Sequence, residues 1–176
     1  MQEYDLDGAI RKVPDFPKKG VLFYDISGIL QTPEAYNYVI DKMVDLYKDK
    51  NLSAVAAIES RGFLFASPFA VKMGLPLVLI RKKGKLPGKV ISRSFALEYG
   101  EDTIEVHPDD VPTGGKVLVI DDLIATGGTL RAACELIEDA EGVVENIFAP
   151  VGLPFLNYDK VIGHYPVTTL IDYHSE

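Results

Sequence analysis

The chain has no tryptophan, one cysteine and only three histidines among its 176 residues. A lone Cys134 cannot close an internal disulfide. In the helical pattern "AACELI" it is expected to be a small buried apolar residue in a reducing, cytoplasmic compartment. No apolar run nears the length of a membrane span, "LPLVLI" (Leu75 to Ile80) being the longest compact one, so no membrane partner is expected. The start, "MQEYDLDGAIRK", is charged and mixed, and no signal peptide is visible in it. Cations are scarce: 18 Lys and Arg stand against 26 Asp and Glu, for a net charge of -8. That balance argues against nucleic acid as a partner, which calls for a basic field. Several motifs are missing too. There is no G-x-x-x-x-G-K-[ST], no G-x-G-x-x-G after a strand, and no H-E-x-x-H, C-x-x-C or G-x-S-x-G. His107, His164 and His174 lie far apart in sequence and receive no catalytic role.

What is present is an ordinary globular composition, 47% hydrophobic and 25% charged, of a length that suits one domain over 1–176. A short amphipathic helix is expected from Tyr4 to about Val13, then a loop with a short extended segment in "PDFPKKGVLFYDISGIL". "TPEAYNYVIDKMVDLYKDK" predicts a helix with Thr32 as N-cap and Pro33 at its first position. Val39, Ile40, Met43, Val44 and Tyr47 fall at helical spacing along it. "AVAAI", "LPLVLI", "KVLVI", "VVENIFAPVGL" and "PVTTLIDY" predict strands. "FLFASPFAVKMG", ending at Gly74, and "GGTLRAACELIEDAEG" predict helices. Short strands are expected around Ile91 to Glu98. Near-continuous apolar strands alternating with helices imply an α/β fold: a mainly parallel sheet with helices on both faces.

In such sheets, ligands bind beyond the carboxyl ends of the strands, where "ESRG", "RKKGK" and "DDLIATGGT" all fall. Asp121 and Asp122 directly follow an apolar strand, and two adjacent acids there are costly unless something binds them. Ionised carboxylates are acceptors only and match the two donors of a ribose diol; a metal site or a salt-bridge pair would also explain them. In "ATGGT" (Ala125, Thr126, Gly127, Gly128 and Thr129) the glycines leave backbone amides uncovered at a helix start, a place for phosphate. A plain glycine turn with threonine capping would account for "TGGT" by itself. Together the acids and the turn fit a ribose 5-phosphate. "RKKGK" puts four cations in five positions on an acidic chain, and Arg61, Arg81, Lys82 and Lys85 can neutralise a polyphosphate. Lys83 is read as solvated.

These residues carry a resemblance. "VLVIDDLIATGGT" resembles the phosphoribosyl-pyrophosphate-binding signature of type I phosphoribosyltransferases. With "DFPKKGVLFYDI", "ESRGFLF", "LIRKKGKLPG" and "LEYG" it is similar, in order and spacing, to the motif set of the adenine phosphoribosyltransferase family, from about Asp15 to Leu153. The resemblance implies a type I phosphoribosyltransferase-like twisted sheet with a flexible hood loop (82–102). It implies purine salvage: adenine and 5-phosphoribosyl 1-pyrophosphate (PRPP) give AMP and pyrophosphate. Magnesium would be carried mainly by PRPP and pyrophosphate, with no protein ligand assigned, in a homodimer. Ala125 to Thr129 would bind the 5'-phosphate, and Asp121 and Asp122 the ribose hydroxyls. Ser60, Arg61, Arg81, Lys82 and Lys85 would hold pyrophosphate. Glu98 and Tyr99 would lie on the hood, Glu98 as proton relay to the purine. Phe23 and Leu153 would sandwich the base, and backbone groups of Leu22 and Tyr24 would read its edge. Two positions depart from the family pattern: Tyr24 replaces a usually basic residue and Gly152 a commonly acidic one. The alternatives are a 6-oxopurine (hypoxanthine, guanine or xanthine) phosphoribosyltransferase, and a non-catalytic regulator that senses the nucleotide or PRPP.

Overall fold

The protein is described by a computed structural model at residues 4–96 and 100–175. Strands β3 (Ala54–Ile58), β4 (Leu77–Lys82), β7 (Lys116–Ile120), β9 (Val143–Gly152) and β10 (Val167–Asp172) form the parallel part of the main sheet. Its order is β10-β9-β7-β3-β4-β6-β5, with β5 (Ile91–Ala96) and β6 (Glu101–Val106) added antiparallel beyond β4. A two-residue strand, β8 (Leu123–Ile124), pairs with the end of β9. The mainly parallel sheet is as expected, with an antiparallel edge. Of the strands expected at 91–98, Ile91–Ala96 form the first arm of the β5–β6 hairpin, so part of the stretch named as a hood belongs to the sheet; residues 97–99 lie outside the described residues.

Both faces are covered, and the side-chain alternation of each strand divides them. Ala54, Ala56, Ile58, Val117 and Val119 face the core under α4 (Gly128–Asp139) and α5 (Tyr158–Ile162). Val55, Ala57, Leu118 and Ile120 face the core under α1 (Ser27–Gln31), α2 (Pro33–Tyr47) and α3 (Gly62–Met73). Every residue of β3 is buried. Its three alanines let helices approach from both sides, which explains a central strand of small residues. Helix α2 starts as its sequence indicates, with Pro33 in its first turn and Val39, Ile40, Met43 and Tyr47 buried. Helix α3 ends at Gly74, whose φ of 66° is the left-handed stop that glycine adopts freely.

One expected element is wrong. Residues from Tyr4 to Val13 do not form a helix. A single 3-10 turn (Asp7–Ala9) is followed by strand β1 (Arg11–Pro14), which pairs antiparallel with β2 (Leu22–Asp25). The apolar spacing of Leu6, Ala9 and Ile10 imitates a helix face, and all three are buried in the core under α2. Pairing with β2 outweighs local propensity from Arg11 onward. Cys134 is buried as expected. Burial, reinforced by the charges of Glu138 and Glu135, pushes its thiol well above the ordinary range, which favours the protonated form. Among the described residues no helix is long and apolar enough to cross a membrane.

Candidate active site

The parallel strands bring Ile58, Lys82, Ile120 and Gly152 out at one edge of the sheet, and each leads into a polar segment. Because β6 runs opposite to β4, its start delivers Asp102 to the same edge.

The acid pair leaves β7 immediately after the buried Ile120. Asp121 accepts the amide N–H of Asp122 at 2.8 Å. Asp122, only 6% exposed in its side chain, meets the Arg61 guanidinium at 2.8 Å. Burial pushes the Asp121 carboxyl well above its ordinary value, and the neighbouring Asp122 charge adds to the rise. Asp122 is also raised by burial, against the pull of Arg61. Two desolvated acids side by side are unfavourable alone and become favourable when hydroxyl donors or a cation satisfy them. Gly62, which opens α3, explains how Arg61 reaches the pair. A Cβ on Gly62 would lie 2.7 Å from the Ile120 carbonyl oxygen and 3.2 Å from Asp121 Cα, so only glycine allows this approach.

The turn Ala125 to Thr129 connects β8 to α4. Gly127 has φ of 84°, and a Cβ there would meet Ile162 at 2.8 Å and Tyr158 at 3.2 Å, so both conformation and packing require glycine. Helix α4 starts with no side-chain cap, leaving its first-turn amides to an anion at the positive end of the dipole.

Two cavities flank these groups. One, about 290 Å³, lies between the ends of β3 and β4 and the β5–β6 hairpin, where Ser60, Arg61, Lys82, Asp121, Asp122 and Thr129 converge. The other, about 570 Å³, is largely apolar and bounded by Leu22, Phe23, Tyr24, Ala125, Thr126 and Leu153. Arg61 lines both. Most of the expected site residues therefore line one or other of two neighbouring cavities that share Arg61, the first polar and the second largely apolar. Glu98 and Tyr99 lie outside the described residues.

The cationic segment behaves differently from a simple anion cradle. Arg81 grips Glu59 with both prongs of its guanidinium, at 3.2 and 3.1 Å, and donates to the Lys85 carbonyl at 3.1 Å. These bonds hold the Glu59 carboxyl below its usual range, chiefly through Arg81. Lys82 pairs with Asp102 at 3.1 Å and lines the polar cavity, whereas Arg81 and Lys85 line neither cavity. Glu59 and Asp102 were not anticipated. Glu59 stands first in "ESRG", where Ser60 and Arg61 are the expected site residues, and Asp102 reaches the site through strand pairing that no local pattern encodes. Tyr24 stacks its ring on Tyr173, with ring centroids 4.1 Å apart, at the position where the family pattern usually has a basic residue.

A mainly parallel sheet with an acid pair, a glycine turn and a polar cavity at one edge is the architecture of a phosphoribosyl transferase. The family model described as the phosphoribosyl transferase domain matches residues 25–145. The chain belongs, more narrowly, to the adenine phosphoribosyltransferase family. It is 61% identical over 176 residues to the adenine phosphoribosyltransferase of Treponema denticola, covering all of this chain and 93% of that protein. Among solved structures, the adenine phosphoribosyltransferase of Thermoanaerobacter pseudethanolicus aligns with a TM-score of 0.92 at 40% identity, over 96% of this chain and 98% of that one. The Saccharomyces cerevisiae enzyme, solved with an imino-altritol bisphosphate and adenine, aligns with a TM-score of 0.89 at 34% identity, over 95% and 97% of the two chains.

Proposed function

We infer that this protein is a purine-salvage transferase that converts adenine and PRPP to AMP and pyrophosphate. The observation that carries this reading is the largely apolar cavity of about 570 Å³ beside the polar one that holds the acid pair, with Arg61 lining both.

The chain's own groups account for the chemistry. First-turn amides of α4 with Thr126 and Thr129 hold the 5'-phosphate. Asp121 and Asp122 accept the ribose hydroxyls, and their negative charge favours cationic character as it builds at the anomeric carbon. Arg61 and Lys82, with Ser60, receive the departing pyrophosphate. Glu59 fixes Arg81 and so shapes the segment that carries Lys82 and Lys85. Phe23 and Leu153 hold the purine between them, and backbone groups of Leu22 and Tyr24 read its edge. Glu98, with Tyr99 beside it in sequence, would relay the proton lost from the purine imidazole. Closure of the hood excludes water that would otherwise hydrolyse the donor.

Magnesium fits this site as a companion of the phosphates. Among the described residues no cluster of three or more His, Cys, Asp or Glu could hold a metal by itself. The acid pair supplies the one or two carboxylates that Mg²⁺ takes beside substrate phosphates. When bound, the ion neutralises charge on the leaving pyrophosphate. A cytoplasmic homodimer completes the reading. The outer face of α3, with Val71 82% exposed and Leu64 40% exposed, supports a contact between copies.

The test is a purine panel with PRPP and Mg²⁺. AMP formed from adenine, with hypoxanthine, guanine and xanthine turned over far less, is the expected result. Turnover of a 6-oxopurine in preference to adenine would refute it.

A further inference from the structure

The base cavity is bounded by residues from opposite ends of the chain, Phe23 on β2 and Leu153 just after β9. We propose that Tyr173 is the positioning residue that sets the spacing of these two walls and thereby the fit of the purine. The inference rests on the assignment of this cavity to the base.

Tyr173 borders both walls without lining the cavity. Its ring stacks on Tyr24 at 4.1 Å, with 23° between the planes. Tyr24 is itself part of the cavity wall beside Phe23 and is also buried in the core under α2, so the stack lies directly on that wall. On the other side, the backbone N–H of Tyr173 donates to the Gly152 carbonyl at 3.0 Å, one residue before Leu153. The Leu153 N–H in turn donates to Ile124 at 2.9 Å, beside the glycine turn. Gly152 suits this junction because a Cβ there would collide with the Asp172 carboxylate.

Tyr173 is itself held from the amino-terminal segment. Its hydroxyl donates to the Asp7 carboxylate, and Lys12 lies over its ring at 5.1 Å while pairing with Asp7 at 2.9 Å. Lys12 also faces Tyr24 in the β1–β2 register. The segment that replaces the expected amino-terminal helix thus serves as the clasp of this keystone. Tyr24 extends the set by donating to the Ser175 carbonyl at 3.2 Å.

A residue that spaces the base walls should affect the base and spare the sugar donor. Initial rates with adenine and with PRPP, each varied separately in the presence of Mg²⁺, test this. Tyr173→Leu removes the stack and is expected to raise the KM for adenine about two- to tenfold. The KM for PRPP should stay within about twofold, because the acid pair and the turn lie off the Tyr173 contacts. Tyr173→Phe, which keeps the stack, should return the adenine KM most of the way to the parent value. Asp7→Asn changes a half-exposed clasp residue and should raise the adenine KM by about threefold with the PRPP KM unchanged; it decides the matter if Tyr173→Leu does not fold. Parallel rises in both KM values, or an adenine KM unmoved in these variants, overturn the proposal. A parent protein that forms no AMP from adenine would instead refute the function, and with it this inference.

Discussion

Gly62→Ala puts the site's architecture to a quantitative test, because the added atom has nowhere to go. Its Cβ would sit 2.7 Å from the Ile120 carbonyl oxygen and within 3.3 Å of Asp121 Oδ1, whereas ordinary contact begins at 3.4 Å. The two nearest obstructing atoms, the Ile120 carbonyl oxygen and Asp121 Cα, are backbone, so rotating the Asp121 side chain cannot make room. The start of α3 must therefore withdraw from the end of β7 by about 0.7 Å, the shortfall in that contact. Overpacking of this kind costs about 1–3 kcal/mol, and alanine's better helix propensity returns at most about 1 kcal/mol. A net loss of about 1–2 kcal/mol lowers the melting temperature by about 2–8 °C in a chain of this size. Arg61 moves with the helix, away from Asp122. Misplacement of about 1 Å costs on the order of 10²-fold in rate, so kcat/KM for PRPP should fall by roughly 10- to 100-fold. Differential scanning calorimetry and initial-rate AMP formation measure the two effects. A variant that melts within about 1 °C of the parent and keeps kcat/KM within about twofold would refute the close approach on which the site depends.

Two further predictions concern the acids. Asp121→Asn should stabilise the ligand-free protein while abolishing most activity. Burial raises this carboxyl, so the folded state binds its proton more tightly than the unfolded state. Stability is thus lost as pH rises from the ordinary value of 3.8 toward the raised folded one. The melting-temperature advantage of the Asn variant should then grow from pH 4 to neutrality, and an advantage that is flat or reversed would contradict the burial argument. Glu98→Gln should lower kcat about 10²- to 10⁴-fold with PRPP affinity nearly intact by calorimetry; unchanged turnover would remove Glu98 from the proton relay.

Much of the site could be read from the chain because its parts are local. Asp121 through Thr129 form one strand end, one turn and one helix start, and apolar Val117 to Ile120 announce the buried strand that delivers them. Thr32 and Pro33 likewise marked the start of α2. What escaped depends on distant partners. The fate of Arg11–Pro14 is decided by Leu22–Asp25, across a loop, and helical spacing of Leu6, Ala9 and Ile10 pointed elsewhere. Asp102 became a site residue only because β6 returns antiparallel to β4. The partner of Arg81 also lay out of sight in the sequence: its planar fork is held by the Glu59 carboxylate, which comes from the end of a different strand. Tyr173 sits in no motif at all, and its contacts run to Asp7, Tyr24 and Gly152 across nearly the whole chain.

The charges of the site are also arranged to be exchanged. Three ion pairs tie its strand ends together: Arg61 with Asp122, Arg81 with Glu59 and Lys82 with Asp102. Lys82 is 60% exposed, so its pair contributes little net stability and an incoming polyphosphate can take the cation with small loss. Asp122 is in the opposite position, buried and dependent on Arg61. Drawing Arg61 toward pyrophosphate would leave that carboxylate without compensation, which is strongly unfavourable unless new donors arrive together with the anion. A ribose diol, carried on the same molecule as the polyphosphate, brings them. With Arg61 and Asp122 in the roles proposed above, the buried pair would penalise free pyrophosphate relative to the intact donor, because only the donor brings both events in a single ligand.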